Sequence, residues 1–130
     1  MTDTPERDPD PLRLYCIMSM EAVKKMNGSR GKLGTQAGHA YLHAYWNAAI
    51  DFPEEAAAYY DSPAAYKITL RVETDEELLA IYAAHEDVCG RTKVEDAGYT
   101  VFDGKTLTCI GLGPIRRSQL RGGAGELKGL

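Results

Sequence analysis

Ser29-Arg30-Gly31-Lys32-Leu33-Gly34-Thr35-Gln36-Ala37-Gly38-His39-Ala40-Tyr41-Leu42-His43-Ala44-Tyr45-Trp46 decides the reading of this chain. It follows a turn signal, Asn27-Gly28, and reads as a helix over roughly 31–49. At ~100° per residue, Lys32, Gln36, His39, His43 and Asn47 share one side, and Leu33, Ala37, Ala40, Ala44 and Ala48 share the adjacent apolar side. Gly34 and Gly38 each cost ~1 kcal/mol of helix propensity, and close backbone packing is a reason to accept that. Lys32 falls in the first turn, where a cation opposes the helix dipole. It reads either as a solvated surface residue or as the contact for an anion at the helix N-terminus.

Working outward, Leu12 to Ser19 is a nearly continuous apolar run and reads as a covered central strand. Met20 to Gly28 reads as a connection. After the long helix, Pro53, Glu54 and Glu55 suit the first turn of a short helix over 51–60. Tyr66 to Val72 alternates strictly and reads as a strand. Thr74-Asp75-Glu76-Glu77 is a capping box that starts a helix running to about Cys89, with Gly90 just past its end. Short strand character follows at 92–95 and a buried strand at 106–112, which Gly113-Pro114 should stop. This order predicts an α/β fold, a three-layer α/β/α sandwich on a mixed sheet of about four strands.

One domain suits 130 residues, 44% of them hydrophobic and 26% charged. Its expected limits are 12–121, between a disordered acidic tail at 1–11 and a flexible glycine-rich tail at 122–130. Four of the acidic residues lie in the first ten positions, so the formal charge of -4 belongs largely to the tail. A globally basic nucleic-acid binder is excluded, while local clusters remain at Lys24, Lys25, Arg30, Lys32 and at Arg116, Arg117, Arg121. No apolar run approaches the ~20 residues of a membrane span, and the default expectation is a cytoplasmic protein. Cys16, Cys89 and Cys109 lack metal-ligand spacing and read as reduced, buried small hydrophobes. His39 and His43 stand four apart, as zinc ligands do, but no carboxylate completes a motif.

Three segments together carry a resemblance. Gly31-Lys32-Leu33-Gly34-Thr35-Gln36-Ala37-Gly38-His39-Ala40 matches the pattern Gly-Lys-(Ile/Leu)-x-x-Gln-x-x-His-Ala. Asp96-Ala97-Gly98-Tyr99-Thr100 matches Asp-x-Gly-x-Thr. Thr108-Cys109-Ile110-Gly111-Leu112-Gly113-Pro114 matches a closing strand with its threonine six residues before the proline. In this order the segments resemble the second family of peptidyl-tRNA hydrolases, the archaeal and eukaryotic type, over about residues 12 to 120. Departures fall beside the motifs, at Met18 to Val23, Glu95, Tyr99 and Val101.

The resemblance implies hydrolysis of the ester between a peptide and the 3′ end of tRNA, with peptidyl-tRNA as partner, no cofactor and no metal, in a homodimer. Its catalytic residues would be Lys32, Asp96, Thr100 and Thr108, with Gln36, Gly31 and Gly98 binding substrate. Asp96 would orient or deprotonate the attacking water. Thr100 and Thr108 would position that water or the ribose, and Lys32 would stabilise the oxyanion or hold a phosphate. Tyr41, Tyr45 and Trp46 read as interface or as core. The alternative is a non-catalytic binding module of the same fold, for RNA or a protein. A basic surface around Lys32 favours the enzyme, and an acidic or occluded one the module.

Overall fold

The computed structural model describes residues 7–98 and 105–130. Its strands and α-helices follow in order: β1 (Arg13–Ser19), α1 (Met20–Lys25), α2 (Arg30–Asp51), α3 (Pro53–Asp61), β2 (Lys67–Val72), α4 (Asp75–Ala84), β3 (Arg91–Asp96) and β4 (Thr106–Ile115). The strands form a mixed sheet in the order β2-β1-β4-β3. β1 and β2 are parallel, and β4 runs antiparallel to both β1 and β3. The C-terminal ends of β1, β2 and β3 therefore share one end of the sheet.

Helices cover both faces, giving the expected α/β sandwich on a mixed four-stranded sheet. On one face α2 packs over Cys16, Met18, Val94 and Cys109. On the other, α4 lies over Tyr15, Ile17, Leu70, Val72, Ile110 and Leu112, which meet Leu78 and Ile81. The fully covered strands explain why β1 and β4 read as apolar runs.

Small residues set the α2–sheet distance: of those the sequence offers, Ala37 and Ala40 pack on the sheet, whereas Gly34 and Gly38 do not. A Cβ at Gly111 would run into the Ala40 backbone, and one at Gly90 into Ala44. The buried row of α2 is Gln36, Ala40, Ala44 and Ala48, each one turn from the next. Gly34 and Gly38 point to open space instead, so close packing does not account for them.

Several boundaries differ from expectation. Met20–Lys25 is a short helix rather than an irregular connection. α4 stops at Ala84, not near Cys89, because the His85 ring takes up the Ile81 carbonyl and Asp87 adopts positive φ. Gly90 serves the contact with α2 rather than ending a helix. β4 continues through Gly113-Pro114 to Ile115, and a register shift against β1 absorbs the break.

The C-terminal segment, expected to fray, is built into the fold. Ala124 is fully buried, and Gly122 and Gly123 turn the chain at positive φ. Lys128 and Leu130 then exchange backbone hydrogen bonds with Arg71 and Thr69 on the outer edge of β2. At the other terminus, residues 1–6 lie outside the described residues. Asp8 and Asp10 are tied to Arg116 and Ser118, so part of the expected tail is held against the domain.

Candidate active site

The capping serine fixes the start of α2. Ser29 Oγ accepts from the Lys32 amide at 3.2 Å, which places Lys32 at the third position of the helix. Its side chain reaches over to the end of β3, where Nζ stands 2.6 Å from Asp96 Oδ2. One turn along α2, Gln36 Nε2 donates to the same Asp96 oxygen at 3.1 Å. The other oxygen, Oδ1, accepts from the Gly98 amide at 2.8 Å. Thr108 Oγ1 lies 2.8 Å from Gln36 Oε1 and 3.2 Å from the Val94 carbonyl.

Thr108 reaches this cluster because of a bulge. Val94 pairs with Cys109 but Glu95 pairs with Leu107, so Thr108 is an extra residue on β4. Strict alternation from Ile110 and Leu112, which face α4, would send Thr108 to α4 and Leu107 to α2. Instead Leu107 packs with the α4-side cluster and Thr108 bonds Gln36. Such bulges re-aim side chains beside functional sites.

The cluster is dry. Thr108 is 0% and Gln36 3% exposed, with Asp96 at 9%. Gln36 was expected on the polar side of its helix; it is buried because Asp96 and Thr108 satisfy its amide from both ends. The Lys32 ammonium beside it, aided by the Gly98 amide, holds the Asp96 carboxyl below the usual aspartate range. Asp96 is thus anionic at neutral pH and held by three donors, which is what orienting a polar reactant requires. A carboxylate offers about four acceptor sites.

Lys32, Gln36, Asp96 and Thr108 are therefore brought together at the C-terminal ends of the parallel strands, where α/β folds place their sites. Gly98 joins them through its amide. Gly31 sits exposed in the first turn of α2. Thr100 lies outside the described residues, as does the expected Asp103-Gly104 turn. Arg30, two positions before Lys32, is exposed, as are Lys24 and Lys25 on α1, so the segment leading into Lys32 carries more exposed cations than the one exposed acid, Glu21.

His39 and His43 lie further along α2 on its exposed side, with ring centroids 6.1 Å apart. Among the described residues no three His, Cys, Asp or Glu side chains gather as a metal site. The three cysteines are free and buried. Of the aromatic residues weighed as interface or core, Tyr41 is hydrogen-bonded to Thr69 and Tyr45 lies against Tyr59, whereas Trp46 is 52% exposed. Sequence reading missed the exposed groove lined by His39, His43 and Thr92 to Glu95. No motif marks it.

The chain matches the family model described as "Peptidyl-tRNA hydrolase PTH2" over residues 16–130. It is 33% identical over 103 residues to a peptidyl-tRNA hydrolase of Methanopyrus kandleri, covering 76% of this chain and 84% of that one. Identity to the peptidyl-tRNA hydrolase of Methanococcus vannielii is 32% over 92 residues, covering 70% and 78%. A probable peptidyl-tRNA hydrolase 2 of Drosophila melanogaster is 30% identical over 100 residues, covering 76% of this chain and 53% of the fly protein.

Proposed function

Because the chain belongs to the peptidyl-tRNA hydrolase PTH2 family, we propose that it releases peptide from peptidyl-tRNA by hydrolysing the ester to the terminal ribose. The observation that carries this reading is the Lys32–Asp96 pair seated on the buried Gln36–Thr108 hydrogen bond. A water held by the Asp96 carboxylate attacks the ester carbonyl, and the Lys32 ammonium meets the charge that develops on the carbonyl oxygen. The ribose oxygen leaves with a proton, ultimately from the attacking water. Gln36 and Thr108 act through Asp96 by fixing its orientation. Thr100 is assigned to positioning the water or the ribose, on the family pattern alone. The Gly98 amide steadies Asp96, and Gly31 leaves the first turn of α2 open to the ribose–phosphate end.

The exposed cations Lys24, Lys25 and Arg30 fit the tRNA side of the substrate and favour the enzyme over a silent binding module. The test is single-turnover cleavage of an N-acetylaminoacyl-tRNA. The wild type should release the acyl group, and Lys32→Ala and Asp96→Ala should each lose about 10²–10³-fold. Wild-type rates in both variants would overturn the assignment.

The homodimer and the cytoplasmic location belong to the same proposal. No helix among the described residues is long and apolar enough to cross a membrane. The dimer's seat is the apolar recess between Leu14, Gly38, Tyr41, Leu42 and Tyr45. Light scattering after gel filtration checks it, with Leu42→Glu expected to give the monomer.

A further inference from the structure

The two edges of the sheet are treated differently. The chain's own C-terminus covers the outer edge of β2, where Arg71 and Thr69 take backbone partners from Lys128 and Leu130. β3 pairs only with β4 among the described residues, and its other edge is open. Proteins ordinarily cover or blunt such edges. This one ends at Asp96.

Its polar groups can be assigned. The Gly90 carbonyl accepts from the Gly113 amide and the Val94 carbonyl lies toward Thr108, so even-numbered residues face β4. By alternation Arg91, Lys93 and Glu95 direct their amides and carbonyls outward. The Arg91 carbonyl is taken by the Asn47 side chain at 2.8 Å, which closes the far end. The Lys93 carbonyl takes only a long contact from the neighbouring Thr92 Oγ1, at 3.5 Å, so among the described residues the open length runs from Lys93 to the site. Above it lies a groove of about 270 Å³ walled by His39 and His43 on α2. Its charged lining residues are Lys93, whose ammonium lies over the Tyr82 ring on the α4 side at 5.2 Å, and Glu95, which is paired with Lys105 at 3.0 Å. The groove holds one residue of each sign, whereas exposed cations lie on α1, which packs on β1 and β4, and at the start of α2.

We propose that the outer edge of β3 binds the peptide part of the substrate as an added strand, with its ester carbonyl delivered to Asp96 and Lys32. This rests on the hydrolase reading above and adds to it the way the peptide is held. Edge pairing recognises the backbone and ignores sequence, which suits a substrate whose side chains vary. The imidazoles wall the side of the groove without demanding one side-chain type. A polyanion would choose the cations of α1 and the start of α2 instead, so the two halves of the substrate are held by different elements. At ~3.4 Å per residue, the open edge holds about three peptide residues.

Two measurements on the full chain test this. In the first, N-acetyl-tetraalanine N-methylamide is titrated while amide hydrogen exchange is followed by NMR. Exchange at Lys93 should slow roughly tenfold, and an analogue N-methylated at alternate residues should give no slowing. No slowing with the unmodified peptide overturns the proposal. So does slowing produced by an oligonucleotide ending in CCA but not by the peptide, or slowing that follows protein concentration alone. In the second, kcat/KM on peptidyl-tRNA should rise roughly tenfold from one to three residues and then level off. Cleavage indifferent to length and to N-methylation overturns the edge and leaves the hydrolase reading standing. If no peptidyl-tRNA is cleaved, the hydrolase reading fails, and the exchange experiment still decides whether this edge takes a peptide.

Discussion

Thr108 Oγ1 donates to Gln36 Oε1 at 2.8 Å across 72 positions of chain, and the bond fixes which way the Gln36 amide faces. With its oxygen engaged, Gln36 must present Nε2 to Asp96, as it does at 3.1 Å. Gln36→Glu keeps the shape and the Thr108 bond but sets a second carboxylate against Asp96. Like charges so placed raise a carboxyl pKa. Asp96 should titrate higher by carboxyl ¹³C NMR, and kcat should fall at least about tenfold. Thr108→Val leaves the amide free to turn and should cost about 1 kcal/mol in urea unfolding.

Lys32 should govern the acid limb of activity. It is the largest cause of the lowered Asp96 pKa, so Lys32→Met lets that pKa rise. The acid limb of kcat/KM should move to higher pH in the variant. The linkage has a definite sign. A carboxyl depressed by folding stabilises the protein above its unfolded value, ~3.9, and that contribution is lost as pH falls through the folded value. Wild type should therefore exceed Lys32→Met by about 1–3 kcal/mol at pH 7, with the gap closing toward pH 2 in urea titrations.

These two predictions use residues legible in the sequence in different degrees. Lys32 and Asp96 stood out by motif, and α2 by its length and its Asn27-Gly28 entry. The burial of Gln36 was not legible, because a helical wheel groups it with Lys32. It leads the alanine row at four-residue spacing, and only partners from β3 and β4 let an amide sit there. The bulge at Thr108 leaves no glycine or proline in Leu107-Thr108-Cys109 to announce it. The C-terminal glycines read as fraying, yet two of them turn the chain so that Ala124 is buried and Gly129 bridges Leu70. Tertiary pairing, which no local pattern encodes, decided each case.

His85 should make stability depend on pH near neutrality. It is fully buried, with Nδ1 2.7 Å from the Ile81 carbonyl and Nε2 accepting from the Arg121 amide at 3.0 Å. That pattern requires the neutral ring protonated at Nδ1. Burial lowers its pKa and outweighs the bond to the Ile81 carbonyl, which raises it, while Arg121 and Arg91 act in the same direction as burial. The unfolded chain then binds the proton first, so stability is full above ~6.5 and declines as pH falls below it. The urea midpoint should drop between pH 7.5 and 5, and the slope should vanish in His85→Gln. Exchange at the Arg121 amide should quicken over the same interval.

The glycines of α2 and the sheet should respond oppositely to alanine. A Cβ at Gly111 meets the Ala40 backbone, which cannot step aside without moving α2 off β4. Gly111→Ala should cost about 1–3 kcal/mol by overpacking, or more if the helix shifts. Because α2 carries Lys32 and Gln36, it should also lower kcat, although it touches no reacting group. Gly34 has helical backbone and open space around its missing Cβ. Gly34→Ala should therefore raise stability by roughly 0.5–1 kcal/mol through helix propensity, with kcat unchanged. Thermal melts and single-turnover cleavage on the two variants check both signs. A Gly111→Ala protein with wild-type stability would show that α2 and β4 do not meet at Ala40.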